Sequence, residues 1–160
     1  LCISIEQWSM SESYFDPTEA SAIKLFSRGI SGEIVMLNLL RFKEVADYSN
    51  HPDLKPQYSL SGREAFQKYI DHTLPFLSES GGEISFLGDG GSFFIGPQDE
   101  KWDLVMLIKQ ASLKSFMEFA ANEAYLAGLG HRSAALSDSR LLPLAEHQNY
   151  NITSHSRRTP

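Results

Sequence analysis

Apolar residues occupy both alternating faces of the stretch Glu33 to Phe42 (EIVMLNLLRF), interrupted at the centre by Asn38. A strand apolar on both sides is buried on both sides. The run Trp102 to Lys109 (WDLVMLIK) has the same character, with Trp102, Leu104, Met106 and Ile108 on one face and Val105 and Leu107 on the other. An antiparallel sheet covered by helices on one side reads polar on its other side, so two such strands demand a second cover. Another copy of the same sheet is the expected cover.

Helical periods separate these strands. Asp16-Pro17-Thr18-Glu19 reads as a helix start, with Asp16 as cap and Glu19 closing a capping box, and a helix to about Arg28 would turn Ile23 and Phe26 inward. A polar loop from Lys43 to Leu60 follows the first strand, with Pro52 and Pro56; it exceeds the usual connection length and reads either as a mobile lid or as a tolerated insertion. Ser61-Gly62-Arg63-Glu64 is a second capping box, and Phe66, Tyr69, Ile70, Thr73 and Leu77 then recur at three- and four-residue spacing up to Gly81-Gly82. Pro75 inside that helix predicts a kink. Beyond it Ile84, Phe86 and Gly88 alternate as one strand face, Gly88-Asp89-Gly90-Gly91 reads as a hairpin turn, and Ser92 to Ile95 as a short strand. Ser112 caps a helix carrying Phe116 and Phe119, a helical piece spans about Asn122 to Leu129, and Arg140 to Leu144 is the last strand.

Without its first helix this order is the split βαββαβ pattern of a ferredoxin-like antiparallel sheet. The strings VMLNLLRFK (Val35 to Lys43), SGREAFQKY (Ser61 to Tyr69), the Gly81-Gly82 pair, Trp102-Asp103 and HRSAALSDSRL (His131 to Leu141) resemble the domain-of-unknown-function family 1330. That resemblance covers roughly Pro17 to Ala145. It implies an α+β fold with an extra N-terminal helix, in which two ferredoxin-like sheets pack face to face as a dimeric α+β barrel. Its superfamily spans cofactor-free monooxygenases, isomerases, cyclases, haem enzymes and binding modules, so the resemblance implies a fold more sharply than a reaction.

The 160 residues form one expected domain, its core at about 17–145 and a mobile tail at 146–160. A domain of this size buries about two-thirds of its unfolded surface. Net charge is −6 and the one basic cluster is Arg157-Arg158, so neither nucleic acid nor a membrane surface is an expected partner. No apolar run approaches the about 20 residues that span a bilayer. The lone cysteine, Cys2, cannot pair internally and favours a reducing, cytoplasmic setting, while Leu1 in place of Met leaves room for a preceding segment. The sequon Asn151-Ile152-Thr153 would then go unused.

Candidate chemistry is sparse. Asn38 either donates a hydrogen bond in a ligand cavity or satisfies neighbouring backbone. His131-Arg132 is the candidate catalytic pair, since histidine exchanges protons near neutrality and arginine binds carboxylates or a developing oxyanion. The alternative has His131 packed and Arg132 paired with Asp138 or Asp103. Tyr69, Tyr125 and Asp103 complete the candidate ligand contacts, with core packing as the alternative for the tyrosines and an arginine pair for Asp103. The five histidines form no metal-ligand spacing, the glycine-rich stretch lacks a phosphate-binding fingerprint, and no Gly-x-Ser-x-Gly elbow is present, so no metal, cofactor or covalent hydrolase chemistry is expected. Two function classes follow: a cofactor-independent oxygenase, isomerase or cyclase acting on a small conjugated or carbonyl compound, and a non-catalytic homodimer that is structural or binds a metabolite. An open cavity shared by Asn38, His131 and Arg132 would mark the first. A barrel filled by Met36, Phe42, Phe86 and Met106 would mark the structural form of the second.

Overall fold

The computed structural model describes residues 12–147. Cys2, the Asn151-Ile152-Thr153 sequon, Arg157-Arg158 and most of the expected tail lie outside the described residues. Helix α1 (Glu19–Ser27) precedes strand β1 (Ile34–Phe42), helix α2 (Gly62–Glu79), the antiparallel pair β2 (Glu83–Ser92) and β3 (Lys101–Gln110), the helices α3 (Leu113–Ala120), α4 (Glu123–Leu126) and α5 (Leu129–Ala135), and strand β4 (Leu136–Ala145). The sheet order is β2-β3-β1-β4, every neighbouring pair antiparallel. This is the ferredoxin-like sheet, with the two doubly apolar strands side by side at its centre. Among the described residues no helix is long and apolar enough to cross a membrane.

Register decides which side chains meet. Asn38 stands opposite Met106 on one side and Leu141 on the other, and Met36 opposite Ile108. That face lies under the helices, with Ile34, Met36, Asn38, Leu40, Leu104 and Met106 all buried. The opposite face carries Val35, Leu37, Leu39, Val105 and Leu107, each only partly buried. At its margins Phe86 and Leu142 remain 52% and 53% exposed.

Helix α2 starts as expected: Ser61 accepts from the Glu64 N–H while the Glu64 carboxylate takes the Ser61 N–H. It continues through Pro75, and Gly81 follows its cap at φ +80°, a conformation glycine adopts without strain. Its buried stripe, Phe66, Ile70, Thr73 and Leu77, faces the sheet.

Several local expectations give way to tertiary context. Thr18, not Asp16, caps α1, in a reciprocal box with Ser21. Ile23 and Phe26 are exposed rather than inward, because α1 buries no residue and its described tie to the body is the Arg28 guanidinium on the Pro143 carbonyl at 2.6 Å. The stretch Gly88 to Gly91 is strand rather than turn: at Gly90 a Cβ would meet the Trp102 carbonyl oxygen at 2.2 Å, so the close approach of β3 requires glycine there. A register shift between Ile84 and Phe86 puts these two on opposite faces, and their simple alternation fails. Strand β4 begins at Leu136, four residues before the expected start, because Ser137 and Asp138 find partners in Arg41, Arg140 and the β1 backbone.

The Lys43–Leu60 loop is no free flap. Its Tyr48 and Leu60 join the core with Leu40, Phe66, Ala134 and Leu136. Its backbone is stitched to the junction of α5 and β4 by Lys43 N–H on Ala135 (2.8 Å) and Asp47 N–H on Ala134 (2.9 Å).

Candidate functional site

Two apolar clusters lie under the helices, the main core around Phe66 and a smaller one of Leu77, Phe119 and Tyr125. Between them is a cavity of about 120 Å³. Met36, Asn38, Met106 and Ile108 form its floor; Ile70, Thr73 and Leu77 of α2, Phe116 and Phe119 of α3 and Tyr125 of α4 form its walls. No charged side chain lines it.

Its polar groups are few and placed by identifiable local structure. Tyr69 and Thr73 lie four residues apart on α2 and so share a face. Asn122 caps α4 by accepting the Tyr125 N–H (3.0 Å), and the Phe119 ring packs 4.3 Å from the Tyr125 ring, fixing that tyrosine over the cavity. The Tyr69 and Tyr125 hydroxyls share a hydrogen bond of 2.9 Å. Two hydroxyl protons serve one bond, so the pair keeps one proton to donate. Burial, followed by the neighbouring Tyr69, pushes the Tyr125 pKa well above the ordinary phenol value, so Tyr125 stays protonated near pH 7. Asn38 commits its Nδ2 to the Met36 carbonyl at 3.1 Å, which leaves its Oδ1 as an acceptor. Thr73 Oγ1 is buried without any hydrogen-bond partner.

Of the residues singled out from the sequence, Asn38, Tyr69 and Tyr125 line this cavity, and Asp103, His131 and Arg132 do not. Asp103 accepts the Phe42 N–H at 2.8 Å and ties the ends of β1 and β3. His131 shares a 2.8 Å hydrogen bond with the Tyr48 hydroxyl; burial, then Lys68 and His72, hold its pKa below the ordinary histidine value. Arg132 donates to the Phe15 carbonyl (3.0 Å) and to Ser139 Oγ (3.3 Å), holding the segment before α1 against β4. The expected convergence of Asn38, His131 and Arg132 is therefore not made: α5 presents its polar residues to the Lys43–Leu60 loop and to the N-terminal segment. Asp138 takes Arg140 (2.6 Å) and Arg41 (3.5 Å) in place of Arg132. Both guanidiniums lie over Trp102, 5.1 and 4.6 Å from its ring centre. Met36 and Met106 face the helices rather than the open side of the sheet, where Phe86 lies.

Thr73 escaped the sequence reading as a site residue, although it sat on the inward stripe, four positions from Tyr69. A second hollow of about 280 Å³ lies between α2 and β2, sharing Ile70 as a wall, but its cation Arg63 is engaged by Asp89 at 3.1 Å and by the Phe42 ring.

No protein-family model and no curated protein matches the chain. Solved crystal structures do, two of RPA0582 among them. That of methylated RPA0582 protein is 32% identical, covers 86% of this chain and 97% of its own, and superposes with a TM-score of 0.74. A second crystal structure of RPA0582, a protein of unknown function from Rhodopseudomonas palustris, is 31% identical over 86% of this chain and 99% of its own, again with a TM-score of 0.74.

Proposed function

We propose, for a chain that belongs to the same family as the Rhodopseudomonas palustris RPA0582 protein, that its function is to bind a small, uncharged, ring-sized organic molecule between sheet and helices. The resemblance of its quoted motifs supports counting this chain with domain-of-unknown-function family 1330. The observation that carries it is a cavity of about 120 Å³ whose lining holds no charge yet includes an unpartnered buried hydroxyl. An apolar cavity of about 150 Å³ accepts benzene, which sets the size class. The absence of a lining cation argues against a carboxylate or phosphate.

The oxygenase, isomerase or cyclase chemistry that the resemblance implies would need a base in reach of the ligand. Tyr125 is held protonated by burial and bonded to Tyr69, and His131 bonds Tyr48 outside the lining. The reading therefore stops at binding, with His131 and Arg132 as supports of the surrounding frame. Calorimetric titration with toluene and with benzoate tests it: toluene binds, benzoate does not, and Ala120→Leu, which adds bulk to the lining, abolishes the toluene signal. Benzoate binding as tightly as toluene would overturn it.

The same reading includes a homodimer formed through the open sheet face. Leu37, Leu39, Val105 and Leu107, flanked by exposed Phe86 and Leu142, make a continuous apolar surface. Isolated proteins rarely leave more than a few hundred square ångströms of such surface uncovered, and a self-complementary sheet face buries it by two-fold pairing. Light scattering should return twice the chain mass, and Leu37→Asp should return a single chain; a monomer mass for the native protein overturns the dimer.

A further inference from the structure

The geometry points to a hydroxylated ring, a neutral phenol, as the ligand, with Thr73 as the residue that selects it. This deepens the binding reading above and rests on it. Thr73 is 9% exposed and its Oγ1 is buried with no partner. A threonine inside a helix ordinarily returns its hydroxyl to a carbonyl one turn back or leaves it in water, and here neither happens. Valine has the same shape and would line the wall without stranding a polar atom. A hydroxyl kept in that position has a use when the cavity is filled.

The other polar groups define what fills it. Asn38, 8% exposed, has one amide N–H on the Met36 carbonyl and keeps Oδ1 as an acceptor beside its second N–H. The Tyr69–Tyr125 pair keeps one O–H to donate, and Thr73 can donate as well. With the Asn38 oxygen to accept and the tyrosine pair and Thr73 to donate, the chamber suits a ring hydroxyl, which both donates and accepts. A ketone would accept from both donors and leave the Asn38 oxygen unpaired; a plain hydrocarbon would leave all of them unpaired. Burial that keeps Tyr125 protonated acts equally on a bound phenol, whose free pKa is about 10. The ligand stays neutral, in keeping with a lining that has no cation.

Titration of the full-length protein and of Thr73→Val with phenol and with benzene tests the proposal. Native protein should bind phenol about tenfold more tightly than benzene, the ratio expected when one net hydrogen bond separates two ligands of similar shape. Thr73→Val should keep benzene affinity, lose most of the preference for phenol and melt at a higher temperature than the native protein, because the stranded hydroxyl is gone. Thr73→Ser keeps the hydroxyl and should restore the preference. Equal affinities for phenol and benzene in native protein, or an unchanged preference in Thr73→Val, would overturn the selection by Thr73 while leaving the cavity a binding site. If neither probe binds native protein, the binding reading fails and this inference falls with it.

Discussion

Replacing Asp138 by alanine should be among the most damaging single changes in the molecule. Its side chain is 3% exposed and holds four groups: the Arg140 and Arg41 guanidiniums at 2.6 and 3.5 Å, the Tyr14 N–H at 2.9 Å and the Ser139 N–H at 2.8 Å. Burial alone would raise its pKa, but the Tyr14 N–H, the Arg140 guanidinium and the Ser139 N–H together hold it below the ordinary carboxylate value. Removing one partner of a buried ion pair costs about 3 to 5 kcal/mol. Arg41 and Arg140 keep 27% and 38% of their side-chain surface in water, so they lose less than a fully buried partner would. Two backbone N–H groups lose their acceptor at about 1 kcal/mol each. With the exposed ion pairs discounted to about 1 kcal/mol, the total is about 3 kcal/mol, or about 6 to 12 °C in melting temperature for a domain of this size. Asp138→Asn retains an acceptor for the amides and should lose about half as much. Thermal and urea unfolding at fixed protein concentration read both, the concentration being fixed because a dimer's melting point depends on it. The folded pKa is depressed, so this contribution is complete above the unfolded value of 3.8 and disappears as pH falls through the folded value. A loss below about 0.5 kcal/mol in Asp138→Ala, the range of ordinary surface changes, would refute the reasoning.

Gly62→Ala should destabilise by about 2 kcal/mol or more, because the new Cβ would meet the Lys43 and Ala135 carbonyl oxygens at 2.3 and 2.5 Å and backbone cannot step aside cheaply; a neutral result in urea unfolding would dissolve the seam joining β1, α2 and β4. His131 is held below its unfolded pKa of 6.5, so native stability should decline as pH falls from that value through the lower folded one, and His131→Gln should flatten the decline; identical slopes would remove His131 as its source. Arg132→Lys should leave toluene affinity unchanged while lowering the melting temperature by a few degrees, since the planar fork that spans Phe15 and Ser139 is lost. A tenfold change in affinity would return Arg132 to the ligand site.

The parts of this molecule legible in the sequence are those whose cause is local. Ser61 and Glu64 announce α2 because a capping box closes within four residues, and β1 and β3 announce themselves because both alternations are apolar. The break at Ser85 and the glycine at position 90 are illegible locally, since the first depends on pairing with Leu107 and the second on the Trp102 carbonyl. Tyr48 hides for a similar reason: it sits among Asp47, Ser49 and Asn50, yet the Ala134–Leu136 region draws it inward. For the cavity, Asn38, Tyr69 and Tyr125 stand out as polar residues on apolar stripes. The bond between the two tyrosines, the isolation of Thr73 and the outward attachment of Arg132 depend on how helices far apart in sequence come to rest.

Strand β1 occupies the centre of the sheet but emerges early in the chain. Its two edges are filled by β3 and β4, the latter pairing Phe42 with Leu136 about ninety residues further on. At synthesis rates of about 5 to 20 residues per second, the most apolar segment of the protein leaves the ribosome seconds before either flank exists to receive it. Pairings so distant in sequence also slow folding, because the loops must close before any contact rewards them. The central position that makes β1 the best-buried strand of the finished fold thus makes it the most exposed liability of the growing one, and cells expressing this chain at high level should show its aggregation depend on chaperone supply more than on the stability of the completed sheet.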